Sequence, residues 1–454
     1  MRPRLSLALR GVLLAGACLS GPVRAAVEIT LRDGQVLTAD RAWEAGGRLH
    51  YARGELTLAV PLSAVQSWRE VAQARRRRAP VVLRTPSGPG APPPGKPAPA
   101  ETGEVLEALS APRTTAVAEA ARETVAAAEA AFQDQQWQLA LDRYRRAKVQ
   151  DPEAYIIHQR IAASALLLSR FADAQEALLQ ALHRFPADAD LEVLLGAAYY
   201  YQGRLKEAVQ TWKKAQARGA GELVDRWIAK AQRERRTEEG YTGQASAHFL
   251  LRIQEGPGGF PAGEAVLDLA ERQFAHLSRL YRFRPPGKLN LIVYPTREFH
   301  QATGAPHDVG GLFDGKVRLP ARGVDGITAE LERVLMHEQV HAFLYHLTHG
   351  AAPRWLHEGL AQYDSGDRVR ASDLRTLAQR YRNTPDLGRE LRTYGECLAF
   401  TTYLVEVRQR TRLHRVLQAI REGTGIDAAL DSVYHTSLTG LLDQWGQWLV
   451  EGHL

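Results

Sequence analysis

Hydrophobic and polar positions change their period several times along this chain, and each change predicts a different kind of structure. Over residues 27–71 the period is two: Val27-Glu28-Ile29-Thr30-Leu31, then Asp33-Gly34, then Gln35-Val36-Leu37-Thr38, with Gly46-Gly47 ahead of apolar runs at 49–51 and 56–60. Alternation broken by Asp-Gly and Gly-Gly turns predicts a small antiparallel β module. Between 72 and 116 the pattern disappears. An arginine run at 75–78 precedes a Pro/Gly-rich tract at 85–97, and proline at that density builds neither helix nor central strand, so a basic, extended linker is expected. From 117 to 237 the period is helical, and a longer step runs over it. Ala140, Ala174 and Ala208 step by 34, as do Ala147, Ala181 and Ala215. Bulky Trp137, Phe171 and Leu205 keep that step, and so do Tyr144, Leu178 and Trp212. Small Ala128, Ala162 and Gly196 mark close helix crossings, and Pro152 and Pro186 close two of the units. Beyond 240 strands are predicted at 247–253, 288–294 and 316–319, a helix over 264–281, and almost unbroken helix after Ile327. Strands first and helices afterwards indicate an α+β domain.

Composition narrows the class. The chain has 454 residues, 45% hydrophobic and 24% charged, which is the make-up of a folded protein with about three domains. Its net charge of +7 is spread over the whole length apart from the arginine run. A solvated basic linker explains that run, and no nucleic-acid partner is expected. The two cysteines, Cys18 and Cys397, cannot build a disulfide framework or a cysteine zinc knuckle. Residues 1–26 read as a secretory signal peptide: Arg2 and Arg4 at the start, an apolar stretch at 12–19, and Val23-Arg24-Ala25 at the cleavage position. A lipoprotein signal with Cys18 as the lipidated residue is the competing reading. No later stretch reaches the roughly 20 apolar residues of a membrane span, so the mature chain is expected to have none. The expected location is the periplasm of a bacterium.

One segment carries chemistry: Val334-Leu335-Met336-His337-Glu338-Gln339-Val340-His341-Ala342-Phe343-Leu344. Residues four apart share a helix face, so His337 and His341 can offer two imidazoles to one metal ion. Glu338 stands beside that face and can reach a water instead of the metal. A second helical segment follows, Pro353-Arg354-Trp355-Leu356-His357-Glu358-Gly359-Leu360-Ala361-Gln362-Tyr363. It offers a third ligand in Glu358, with His357 as a competitor. A catalytic zinc takes three protein ligands and keeps one open position, and two histidines plus a glutamate is one such set.

On these residues the region from about 240 to 450 resembles the gluzincin metallopeptidases, in particular the peptidase MA-like family of bacterial proteins, in the pattern His-Glu-x-x-His followed by Pro-x-Trp-Leu-x-Glu-Gly-Leu-Ala. The 34-residue step over 118–235 resembles the tetratricopeptide repeat. The gluzincin resemblance implies one Zn2+ per chain, held by His337, His341 and Glu358, with Glu338 as general base. It also implies that Tyr394, in Thr393-Tyr394-Gly395-Glu396, stabilises the oxyanion; a packed helix aromatic is the alternative there, and Tyr363 and Tyr403 are further candidates. Gln362 stands where thermolysin-like enzymes carry an aspartate that orients a histidine, and its amide oxygen could accept an imidazole N–H with less electrostatic support. The strand near 314–319 is where related peptidases pair an extended substrate with a sheet edge. His346 and His349 lie off the metal face, with solvent exposure or a role at the helix C-terminus expected.

The expected fold is therefore multidomain: signal peptide 1–26, β module 27–71, linker 72–116, tetratricopeptide-like repeats 117–237 and an α+β zinc metallopeptidase domain 240–454. The expected function is hydrolysis of a peptide or protein substrate, with a protein partner or a spacer role for the repeats. A repeat scaffold for envelope assembly that binds zinc without turnover is the alternative. The intact ligands and base favour activity.

Overall fold

The computed structural model describes residues 26–32, 36–39, 41–53, 56–71, 117–254, 263–306, 309–321, 327–383, 391 and 393–452. The signal expected up to residue 26, with Cys18, and the linker expected over 72–116 fall outside them, save for Ala26 itself. The chain divides into two compact units, Met1–Leu83 and Arg84–Leu454.

In the first unit β1 (Ala26–Leu31), β2 (Val36–Ala39), β3 (Arg41–Ala45), β4 (Arg48–Arg53), β5 (Leu56–Pro61) and β6 (Val65–Val71) form two antiparallel sheets, ordered β2-β1-β6 and β3-β4-β5. Gly46 and Gly47 turn the β3–β4 hairpin with φ of +58° and +75°. Positive φ at both positions is the I′ turn whose twist matches that of the strands, and glycine adopts it without strain. Val27, Ile29, Leu49 and Tyr51, the inward half of the alternation, make the core with Ala39 and Val65. Strands β3 and β6 are additions to the sequence reading. Their polar, Trp-bearing sequences do not alternate cleanly, and Trp43 and Trp68 stay partly exposed.

The described residues of the second unit begin with seven helices joined by short turns: α1 (Glu119–Gln133), α2 (Trp137–Gln150), α3 (Tyr155–Leu167), α4 (Phe171–Arg184), α5 (Ala189–Tyr201), α6 (Leu205–Ala217) and α7 (Glu222–Thr237). The 34-residue step reappears as the starts of α2, α4 and α6 at Trp137, Phe171 and Leu205. Ala128 and Ala162 are fully buried. At Gly196 an added Cβ would stand 2.2 Å from Trp212 Nε1, so a side chain there would drive α5 and α6 apart.

A five-stranded mixed sheet follows, built from β7 (Thr242–Ala245), β8 (Phe249–Ile253), β9 (Leu289–Pro295), β10 (Leu312–Phe313) and β11 (Val317–Ala321) in the order β10-β11-β9-β8-β7. The helices α8 (Gly263–Tyr281) and α9 (Thr296–Thr303) are interleaved with it. After Ile327 come α10 (Ala329–Thr348), α11 (Arg354–Asp364), α12 (Ala371–Asn383), α13 (Tyr394–Thr402), a π turn at Tyr403–Val407, α14 (Arg410–Arg421), α15 (Ile426–Tyr434) and α16 (Leu438–Glu451). Strand β9 is buried on both faces, which explains its near-continuous apolar sequence. Leu289, Leu291 and Val293 join the large core with α8 and α10, while Ile292 and Tyr294 face Phe299 and Ala302 of α9. Among the described residues no helix is long and apolar enough to cross a membrane.

The helical stack is fastened to this sheet by polar contacts. Asn290 Nδ2 donates to the Tyr201 carbonyl at 2.8 Å, and Tyr294 Oη to Glu238 at 2.7 Å. Glu234 of α7 receives Lys316 at 3.0 Å and Arg318 at 2.9 Å, and Arg318 also holds Asp314 at 2.8 Å. Lys230 reaches Asp314 at 3.2 Å. Gly315, at the tip of the β10–β11 hairpin, has φ of +88°, and a Cβ there would come 2.5 Å from the Tyr201 ring. The stack thereby sets the position of the hairpin.

Candidate metal centre

Helix α10 is specified locally. Thr328 caps its start by accepting from Leu331 N at 3.1 Å, and Glu330 and Glu332 complement the positive end of its dipole. Leu331, Leu335, Val340, Phe343, Leu344 and Leu347 bury one side in the large core. His349 ends the helix in the left-handed conformation, and Pro353 precedes α11, a position where its fixed φ is compatible with a helix start.

The return of α11 brings Glu358 opposite the two histidines. His337 Nε2 and His341 Nε2 lie 3.2 Å apart, and Glu358 Oε2 is 3.9 Å from the first and 3.7 Å from the second. The three atoms form a group that could hold a metal ion. Ligands about 2.0–2.1 Å from a tetrahedral ion stand about 3.3 Å from one another, so the triangle is close to size and slightly open on the carboxylate side. His357 is buried and stacks on His341 with ring centroids 5.7 Å apart, but it is not one of the three.

The electrostatics fit a cation. Burial, helped by the Arg333 charge, lowers the His337 pKa to about 4, and burial holds His341 well below the ordinary imidazole range. Both imidazoles are therefore neutral, as metal ligands must be. Burial raises Glu358 to about 7, opposed by Arg354. Glu338 is pushed well above the usual carboxyl range by burial and by the Glu358 and Asp314 charges, against a backbone hydrogen bond from Phe313. Converging lone pairs and reluctant carboxylates leave this pocket short of positive charge, which a divalent ion would supply.

Scanned against protein-family models the chain matches none, and it matches no curated protein. What the site can do therefore rests on its own geometry.

Close packing assembles the rest. A Cβ on Gly359 would stand 1.9 Å from Thr401 Oγ1 and 2.6 Å from the Cys397 carbonyl. Glycine next to Glu358 thus lets α13 cross directly over α11, and that crossing brings Tyr394, the first residue of α13, to the site. Burial and the Glu358 charge raise the pKa of its hydroxyl, and the nearby Arg354 charge opposes them. Thr393 and Glu396 form a reciprocal capping box that fixes the start of α13.

Other expectations need correction. Gln362 makes no hydrogen bond to an imidazole among the described residues: its Nε2 donates to the carbonyls of Glu358 at 3.0 Å and Tyr394 at 3.1 Å, tying α11 to α13. The sheet edge is not the strand over 314–319. β11 lies between β10 and β9, the edge is the short β10, and residues 314–318 carry the buried ion cluster. β10 runs beside Glu338, where a Cβ on Gly311 would meet Oε1 at 2.6 Å. Tyr363 is bound to Glu406, and Tyr403 packs on Trp448. His349 has the helix-end role, but His346 is buried, only 5% exposed.

Arg354 and Gly311 were not anticipated. Arg354 stands one turn before Glu358, with Nε 4.0 Å from Oε1, and its i,i+4 spacing was readable in the sequence. The approach of Gly311 to Glu338 has no local signal.

Proposed function

We propose that this protein is a zinc-dependent peptidase of the gluzincin kind, with His337, His341 and Glu358 as metal ligands and Glu338 as general base. The observation that supports it most is the convergence of two neutral imidazole nitrogens and one carboxylate oxygen beside a second, proton-seeking carboxyl. That donor set leaves one coordination position open, as catalytic sites do and structural sites do not. When bound, zinc supplies Lewis acidity, lowering the pKa of water to about 7 and polarising the scissile carbonyl.

The chain's own residues do the rest. Glu338, buried and with a raised affinity for protons, takes a proton from the attacking water and delivers it to the leaving amine. Tyr394 donates its hydroxyl to the carbonyl oxygen as negative charge develops there, held in position by the capped start of α13. The Arg354 charge favours the ionised form of Glu358 against its burial. An extended substrate pairs with the edge strand β10, which favours main-chain recognition over sequence recognition. The helical stack, of tetratricopeptide type, fixes that edge and offers a surface to a protein partner, and the N-terminal signal sends the protein to a bacterial periplasm.

The test is zinc content of the purified mature chain, wild type beside His337→Ala and Glu338→Gln, with hydrolysis of a mixed peptide library on the same samples. About one zinc per chain, lost in His337→Ala and kept in an inactive Glu338→Gln, is the expected result. A metal-free, inactive wild type would overturn the proposal in favour of a scaffold.

A further inference from the structure

Strand β10 has two residues and pairs on one side only, Leu312 with Arg318 and Phe313 with Val317 of β11. So short an edge strand has too few ladder bonds to fix its own place, and its neighbours set it. On one side stands the metal centre. Phe313 gives Glu338 a backbone hydrogen bond, a Cβ on Gly311 would come 2.6 Å from Glu338 Oε1, and the Phe313 ring lies 5.8 Å from that of Tyr345 on α10. On the other side the helical stack holds the two residues that follow Phe313. Gly315 lies against the Tyr201 ring of α5. Asp314 uses one carboxylate oxygen on Arg318 Nε at 2.8 Å, within the hairpin, and the other on Lys230 Nζ of α7 at 3.2 Å.

Lys230 differs from the other cations of this cluster. Lys316 and Arg318 are wholly buried and pair with Glu234, which binds α7 to the sheet. Lys230 keeps 17% of its side chain exposed. Without its charge every buried carboxylate there still has a cation: Glu234 has Lys316, Asp314 has Arg318 and Glu238 has Arg252. Neutralising the cluster therefore does not require Lys230. Its ammonium lies 5.4 Å from the centroid of the Trp227 ring and 5.9 Å from that of Tyr200, so two aromatic rings of the stack fix where it meets Asp314. What Lys230 adds is a contact from the stack to the residue next to Phe313.

We propose that Lys230 is a positioning residue for the metal centre: through Asp314 it holds β10 against Glu338, so that the helical stack sets where the base stands and where an extended substrate pairs. The kinetic consequence rests on the peptidase reading given above; the mechanical link does not. Release of Asp314 from α7 lets the tip of the hairpin move, and Phe313 and Gly311 move with it. The base then loses its backbone donor and the substrate its register. Misplacing reacting groups by about 1 Å costs up to about 10²-fold in rate.

The experiment uses the full mature chain and compares wild type with Lys230→Met, Lys230→Arg, Asp314→Asn and the Lys230→Met/Asp314→Asn double variant. Methionine keeps the length of lysine and suits the Trp227 and Tyr200 rings, so the fold survives. Hydrogen exchange over residues 309–318 is followed by mass spectrometry, and kcat, KM and zinc content are measured on the same samples. Lys230→Met speeds exchange over 309–318 and leaves α10 unchanged. Its kcat falls about 10-fold and its KM rises several-fold, at full zinc content and nearly unchanged melting temperature. Lys230→Arg recovers most of both constants. Adding Lys230→Met to Asp314→Asn changes little further, because the pair acts as a unit. Wild-type exchange in Lys230→Met overturns the mechanical link. Wild-type kcat and KM in that variant, or a loss of activity that follows zinc or melting temperature, overturns the positioning role. A wild type that holds no metal and cleaves nothing overturns the peptidase reading and the kinetic consequence with it, while the exchange comparison still decides the link.

Discussion

Two buried polar clusters meet at the β10–β11 hairpin, and they are built on opposite principles. Below it Glu234, Glu238 and Asp314 face Lys230, Lys316 and Arg318, and the ion pairs of Glu234, Asp314, Lys316 and Arg318 are almost wholly removed from solvent. Every charge there has an opposite charge in reach. Beside it Glu338, one backbone hydrogen bond away from Phe313, shares a pocket with Glu358 and two neutral imidazoles, and the nearest cation, Arg354, stands 4.0 Å from Glu358. A balanced cluster holds two elements together. An unbalanced one, tolerated at the same depth, is a place where the fold accepts a cost of desolvation that only a ligand repays.

Substitutions at the two clusters should separate chemistry from stability. Glu338→Gln removes the proposed proton carrier and should lower kcat for peptide hydrolysis by about 10²–10⁴ with zinc content and melting temperature unchanged. Glu234→Gln does the reverse. It leaves Lys316 buried without its carboxylate partner and Arg318 with Asp314, and should cost about 3–5 kcal/mol in denaturant unfolding. A loss under about 1 kcal/mol would mean that the stack and sheet do not depend on the cluster. Tyr394→Phe should reduce kcat about 10²-fold at constant zinc, as expected for one oxyanion donor; a purely packed aromatic would leave kcat unchanged. Gly359→Ala should destabilise by about 1–3 kcal/mol through overpacking against Thr401 and the Cys397 carbonyl, and lower kcat together with it.

The smallest effect is a pH dependence. The Arg318 and Lys316 charges outweigh burial and hold Glu234 below the usual carboxylate range, and Asp314 is likewise held low by Arg318 and Lys230. Carboxylates with depressed folded pKa values contribute stability that is complete above the unfolded value, about 4.3 for glutamate, and is lost as pH falls through the folded value. The stability advantage of wild type over Glu234→Gln should thus be flat from about pH 5 to 7 and shrink below pH 4. An advantage that grows on acidification would contradict the sign of the shift.

Much of the architecture was legible because it is written in short-range periods. Alternation at 27–31 and 49–51, the 34-residue step of Trp137, Phe171 and Leu205, and the apolar stripe around His337 each depend on residues within one or two turns or strands. The missing strands β3 and β6 lack that signal, since their sequences are polar, and β6 pairs with the distant β1. The misplacement of the sheet edge has the same cause. Nothing within 314–319 says which neighbour the strand pairs with, and the charges there look solvent-facing until Glu234 arrives from a helix about eighty residues away.

What the sequence determined by itself is the chemistry of α10: two imidazoles four residues apart share a helix face whatever the rest of the chain does. Tertiary structure decided everything that requires two elements to converge. The turn at His349–Pro353 carries Glu358 to within 4 Å of both imidazoles, the missing side chain at Gly359 admits α13 and its Tyr394, and the ion cluster under β11 puts the edge strand beside Glu338. Spacing along one helix follows from covalent geometry. Distances between elements follow from packing, and packing is settled only when the whole core is filled.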